Sequence, residues 1–230
     1  MRHDPDALML FAAGYGKRMG SLTQTLPKPL IPVAGRPLID HALALVDDVG
    51  VSRKVVNLHY LAPQLAAHLS PRADIDLSVE TPDILETGGG LRLALPLLGQ
   101  GPVYTLNTDA VWTGPNPLKT LRDAWEPDDM DSLLLVIPAA NALGHPGTGD
   151  FALDPQGRIT RGRDYIYVGA QILKTQGLMA IPDRVFSLNK LWDQMIENQR
   201  AYAVIHPGGW CDVGAPHGIA LAEAMLAAHV

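Results

Sequence analysis

Short apolar runs alternate with stretches of helical length through the first 137 residues of this 230-residue chain. Ala7–Ala12 is an apolar run bounded by charge and glycine, and it predicts a buried strand. Leu38–Val49 repeats apolar residues at helical spacing and predicts a helix. The alternation continues with a strand at Lys54–Leu58, a helix at Leu61–Leu69 and a short strand at Ile75–Glu80. A helix follows at Gly90–Leu98, where Pro96 is expected to disturb it, then a strand at Val103–Leu106 and a helix at Leu118–Trp125. Ser132–Ile137 is continuously apolar, as in a strand covered on both faces. Such regular alternation predicts βαβ units, hence an α/β fold with a mostly parallel sheet and helices on both faces.

The rhythm changes after Pro138. Asn141–Gly149 is rich in glycine and proline and reads as a loop. Phe151–Leu153, Ile159–Thr160 and Tyr165–Leu173 read as short strands around turns, one of them at Pro155–Gly157. Pro138 to Leu178 therefore predicts a small strand-rich lobe on the edge of the main sheet. Leu188–Gln199 and His217–Ala228 predict closing helices.

Composition narrows the class. Apolar residues make up 47% of the chain and charged residues 18%, the balance of a globular domain. A net charge of −6 argues against binding nucleic acid through its phosphates. With Cys211 as its one cysteine, the chain has no internal disulfide and no thiolate zinc cluster. Ala7–Ala13 follows Arg2, but it is short for a signal peptide, and Asp4 and Asp6 precede it. No apolar run approaches membrane-spanning length. The expectation is a cytoplasmic protein with no membrane partner.

The first strand runs into Gly14-Tyr15-Gly16, where an open α/β sheet binds its ligands. Glycines let backbone N–H groups approach a phosphate closely. Lys17, Arg18 and Lys28 add positive charge, and Pro27 and Pro29 fix the backbone on either side of Lys28. A cradle for a polyphosphate accounts for this combination; the bland alternative is a surface turn beside a basic edge. No GxxxxGK[ST] run occurs, and the glycine spacing misses GxGxxG by one residue.

The stretch LFAAGYGKRMGSLTQTLPKPLIPVAGRPLI (residues 10–39) resembles the signature of sugar-1-phosphate nucleotidyltransferases, roughly LAAGxGxRMxPLTxxxPKPLxPVxGxPLI. Further segments resemble that family in order: LETGGGLRLALPLL (85–98), LNTDAVW (106–112), GDF (149–151), YVGAQIL (167–173) and GWCDVGAP (209–216). LETGGG and WCDVG are most similar to the N-acetylmuramate 1-phosphate uridylyltransferase branch, which serves cell-wall sugar recycling. The resemblance implies a Rossmann-like nucleotide half and a sugar-binding half within one domain, about residues 1–137 and 138–230. It implies transfer of a nucleotide from a nucleoside triphosphate, UTP above others, to a sugar 1-phosphate, with pyrophosphate released. A cytidylyl-, guanylyl- or thymidylyltransferase, or a nucleotide-sugar-binding module without turnover, stays open.

The same resemblance implies residue roles. Arg18 holds the β- and γ-phosphates, and Lys28 holds the α-phosphate and the incoming sugar phosphate. Asp109 and Asp212 hold Mg²⁺ or Mn²⁺; taken alone, each would read as a turn or helix cap. Ala12, Ala13, Gly14, Gly16 and Lys17 line the nucleotide, and Glu86 and Gly88 help to read the base. Asn141, Gly149, Asp150 and Gly169 contact the sugar, with His145 in the same loop. Thr108 stands where the family commonly has glycine, and its added side chain could crowd the ligand or metal or sit in a pocket adapted to it.

Overall fold

The structure, a computed structural model, describes residues 4–229. In chain order the first half comprises β1 (Ala7–Phe11), β2 (Pro32–Val33), β3 (Arg36–Pro37), α1 (Leu38–Val49), β4 (Arg53–Leu58), α2 (Ala62–Leu69), β5 (Ile75–Val79), α3 (Glu86–Leu98), β6 (Val103–Asn107), β7 (Ala110–Trp112) and α4 (Pro117–Ala124). The second half comprises β8 (Ser132–Pro138), β9 (Phe151–Leu153), β10 (Ile159–Arg161), β11 (Tyr165–Leu173), α5 (Asn189–Glu197), β12 (Ala201–Ile205), β13 (Trp210–Asp212) and α6 (Pro216–Ala227).

β1 lies at the heart of the main sheet. It pairs in parallel with β4, Met9 opposite Val55, and with β6, Met9 opposite Thr105. β5 extends the sheet in parallel beyond β4. On the other side β11 runs antiparallel between β6 and β8, and β12 adds in parallel to β8. The order is therefore β12-β8-β11-β6-β1-β4-β5, with the β9–β10 hairpin joined to the start of β11. One face packs Leu8, Leu10 and Val56 against Leu43 and Val46 of α1, Leu65 of α2 and Leu121 of α4. The other packs Met9, Val55 and Val136 against Leu91 of α3 and Leu191 of α5. Successive residues of a strand point to opposite faces, so Leu8, Met9 and Leu10 serve both layers in turn. The mostly parallel sheet with helices on both faces is as the residue pattern predicts. No helix among the described residues is long and apolar enough to cross a membrane.

Three features differ from the pattern-based expectation. Tyr165–Leu173 is one nine-residue strand in the interior of the sheet, rather than part of an edge lobe. Its polar Gln171 is fully buried and satisfied, donating to Thr105 Oγ1 at 3.0 Å and accepting from Trp192 Nε1 at 2.9 Å. Helix α3 begins at Glu86, takes in Gly88–Gly90 and continues through Pro96. Pro96 falls in the last turn, where the backbone bond it forgoes is a local loss. Finally, β7, β12 and β13 lie outside the expected elements, although β12 (AYAVI) is itself a short apolar run; β7 and β13 form a separate antiparallel pair.

Candidate active site

The carboxyl ends of β1, β4 and β6 open into a cleft. One wall is the Phe11–Gly14 segment with Lys28, another is Ile84 and Glu86–Thr87, and Asn57, Glu80 and Asn107–Asp109 form the floor. Gly16 has φ +63°, and a Cβ there would lie 2.9 Å from Thr23 Cγ2 and 3.0 Å from Lys28 Cβ. The glycine thus lets the loop lie on the stem of Lys28. Residues Lys28–Leu30 form a tight turn, with Leu30 N–H donating to Pro27 O at 2.9 Å. Held in this way, the largely buried Lys28 side chain donates from Nζ to Asp109 Oδ2 at 2.7 Å.

The β7–β13 ladder brings the second aspartate to the first. Asp212 pairs with Ala110, and Val213 N–H donates to Asp109 O at 2.8 Å. Arg18 NH1 stands 3.7 Å from Asp212 Oδ2, and His145 Nδ1 stands 3.6 Å from the same oxygen. Gly214 makes room for the arginine: a Cβ there would lie 2.5 Å from its NH2. Burial raises the Asp109 carboxyl, but the Lys28 charge and hydrogen bond, with help from Arg18, outweigh it and hold the group below the ordinary carboxylate range. Asp212 goes the other way. Burial and the Asp109 charge push it up against the opposing pull of Lys28, Arg18 and His145. Two neighbouring carboxylates, the second raised by the charge of the first, are hard oxygen ligands of the kind a divalent cation takes.

Among the described residues, no cluster of three or more His, Cys, Asp or Glu side chains could hold a metal. Two carboxylates are nevertheless enough for Mg²⁺, which takes its remaining ligands from phosphates and water.

The other residues singled out by sequence divide. Ala12, Ala13 and Gly14 line the cleft, but the Ala12 N–H is already taken by Asn57 Oδ1 at 2.6 Å. Glu86 lines it too, with φ +62°. Gly88 is turned elsewhere: its N–H donates to Phe186 O at 2.9 Å, and its Cα packs on the Phe186 ring. Lys17 lies on the rim, its ammonium 5.2 Å above the Tyr15 ring. Asn141 is exposed at the end of a short turn. Asp150 Oδ2 accepts from Tyr167 N–H at 2.9 Å, so this carboxylate ties its loop to β11. Gly149 has φ +127° and presses on the Arg163 backbone. Gly169, with φ +85°, sits where β11 slips register against β8; a Cβ there would lie 2.8 Å from Asn107, on the cleft floor.

Thr108 lines the cleft beside Asp109. Its hydroxyl donates to Phe11 O at 2.7 Å and ties the end of β6 to the end of β1. Asn57, Glu80 and Asn107 were missed by sequence reasoning. The available signal was a polar residue at the carboxyl end of an otherwise apolar parallel strand, visible at Asn57 in VVNL and at Asn107 in VYTLN.

Lys28, Arg18 and two carboxylates gathered beside the carboxyl ends of the main sheet are the kinds of group that phosphate transfer needs. Residues 8–154 match the MobA-like NTP transferase domain. The chain is 38% identical to the N-acetylmuramate alpha-1-phosphate uridylyltransferase of Caulobacter vibrioides, over 99% of both chains. It is 31% identical to the enzyme of the same name from Neisseria meningitidis, over 96% of this chain and 98% of that one. Its fold superposes on a UDP-glucose pyrophosphorylase complexed with UDP-glucose with a TM-score of 0.78, at 16% identity, covering 97% of this chain and 99% of the other. The chain belongs to the sugar-1-phosphate nucleotidyltransferase family.

Proposed function

We propose that this enzyme transfers a uridylyl group from UTP to N-acetylmuramic acid 1-phosphate, giving UDP-N-acetylmuramic acid and pyrophosphate. The observation that carries this reading is the Lys28–Asp109 pair with Asp212 and Arg18 beside it, in a chain similar over its whole length to uridylyltransferases of that name. An oxygen of the sugar phosphate attacks the α-phosphorus of the triphosphate. The bond from that phosphorus to the β-phosphate bridging oxygen breaks, and pyrophosphate leaves with the electron pair. Both reactants are anions, so charge neutralisation and in-line alignment are the main tasks.

Lys28 has a stem fixed by its turn, and its ammonium serves the α-phosphate and the incoming phosphate. Arg18 is more exposed, and its planar fork suits the oxygens of the departing pyrophosphate. Asp109 and Asp212 would hold Mg²⁺ or Mn²⁺. When bound, that ion neutralises phosphate charge. Residues 1–137 supply mainly the nucleotide side. Residues 138–230 supply mainly the sugar side, through Asn141, Gly149, Asp150 and Gly169. Nucleoside triphosphates are the donor pool, which suits a cytoplasmic setting.

The test is a matrix of nucleoside triphosphates against sugar 1-phosphates, read by pyrophosphate release. UTP with N-acetylmuramic acid 1-phosphate should react fastest. Clear preference for GTP or CTP would overturn the base assignment, and preference for another sugar phosphate would overturn the sugar.

A further inference from the structure

Asn57 and Glu80 are buried polar residues in the cleft floor, and the reaction as described gives neither a task. Asn57 lies near the end of β4, and Glu80 follows β5. Asn57 Oδ1 accepts from Ala12 N–H at 2.6 Å, so its amide nitrogen faces the other way and donates to Glu80 Oε1 at 2.7 Å. Glu80 Oε2 accepts from Leu85 N–H at 2.6 Å, at the threshold of α3. Two donors thus converge on one side chain, and both of its oxygens must accept. A carboxylate does this; an amide would turn its own NH2 toward one of the donors.

The same residue holds the loop a second time through its main chain. Glu80 O accepts from His59 Nδ1 at 2.9 Å, and His59 Nε2 lies 3.1 Å from the Tyr15 hydroxyl. Gly90 leaves space for the pair: a Cβ there would lie 2.5 Å from Glu80 Oε1 and 3.2 Å from Asn57 Nδ2. Next to Leu85, Glu86 holds φ +62°, a conformation that persists in a non-glycine residue only where its surroundings impose it.

We propose that Asn57 and Glu80 form a polar relay that fixes the spacing of the two nucleotide-binding walls, making both of them positioning residues for the nucleoside. The inference rests on the reading of the cleft as a nucleoside triphosphate site. The relay connects Ala12 in one wall to Leu85 in the other through three short hydrogen bonds, all of them buried. A nucleoside is held alike before and during the reaction. Loosening its walls therefore raises the Michaelis constant for the triphosphate and leaves kcat in place.

Three variants test the relay: Glu80→Gln, Asn57→Asp, and the two together. Each single change sets like groups against one another. In the double variant the donor order reverses and every bond is restored. The carboxylate at position 57 then accepts from Ala12 N–H and from the new amide, whose carbonyl accepts from Leu85 N–H. With the triphosphate that the wild type uses fastest, each single variant should raise its KM about tenfold, the order expected for loss of one buried hydrogen bond to a charged group. For both single variants kcat and the sugar-phosphate KM should stay within about twofold, and the double variant should return the triphosphate KM to within about threefold of wild type.

Unchanged KM in both single variants, a change in kcat alone, or a folded double variant without recovery would each overturn the relay. If Glu80→Gln fails to fold, the double variant decides. Folded with near-normal KM it supports the relay; folded with raised KM, or unfolded, it overturns it. Titration of each nucleoside triphosphate in turn, without sugar phosphate, separates this inference from the proposed function. A wild type that binds UTP without turnover sinks the activity and leaves the relay to be read from dissociation constants. A wild type that turns over normally, with insensitive variants, sinks the relay alone. One that binds no triphosphate sinks both.

Discussion

The walls of the cleft and the 139–149 segment are held together by different means. In the cleft, side chains make the ties: Asn57 and Glu80 between two walls, Thr108 to Phe11 O, and Lys28 to Asp109. The 139–149 segment is anchored largely by backbone. Asp212 N–H donates to Leu143 O and Ala139 N–H donates to Asp164 O, each at 2.9 Å. Gly144 and Gly149 hold φ +71° and +127°, pressed against the backbones of Asp212 and Arg163. A wall built on side-chain bonds demands particular residues at both ends of each bond. A loop shaped by backbone and glycine leaves its remaining side chains free to change. On the proposed function, such a division lets a sugar-facing loop vary while the triphosphate site is kept.

The largest break in this contrast should come at Lys28. Lys28→Ala should lower turnover at least ~100-fold, as expected for removing a preorganised group from developing charge. Lys28→Arg should not restore it, because a planar fork cannot stand in for a point charge in a site fixed by Pro27 and Pro29. Pyrophosphate release under saturating substrates measures both, and near-normal turnover in the alanine variant would remove Lys28 from the mechanism.

A smaller, one-sided effect is expected at Gly144. A Cβ there would overlap the Asp212 carbonyl, in a backbone conformation that L-residues rarely adopt. Gly144→Ala should push the loop off β13 and raise the sugar-phosphate KM about tenfold, more than it raises the triphosphate KM. Equal shifts in both constants would show that the two sides are not separately built.

The smallest effect is expected at Thr108. Thr108→Gly removes the bond to Phe11 O and should cost about 1 kcal/mol of stability, read as a fall of a few degrees in Tm, with no gain in kcat/KM. A gain would mean that the threonine does crowd the ligand.

Local physics made much of this legible. The expected bounds of α1, Leu38–Val49, coincide with the helix because its amphipathic spacing and the left-handed Gly50 that ends it are local features. The apolar runs of β1, β6 and β8 are likewise sufficient to name them as strands. The glycines of LETGGG misled the reading of α3, since three consecutive glycines disfavour a helix on their own. The helix forms there because those positions must be small. Gly88 packs on Phe186, Gly89 would meet Arg184 O at 2.6 Å, and Gly90 borders Glu80.

By itself the sequence determined the α/β class, the basic loop after the first strand and the clamped lysine. Each of these depends on residues within a turn or two of one another. The meeting of Asp109 with Asp212 was decided by tertiary structure, through the β7–β13 ladder, because nothing in either segment specifies its partner strand. The placement of β11 between β6 and β8 was decided in the same way, since strand order depends on which edges remain free when the chain folds. So was the Asn57–Glu80 pair, in which 23 residues of sequence close to a 2.7 Å hydrogen bond. A hydrogen bond acts over ångströms of space and is indifferent to distance along the chain.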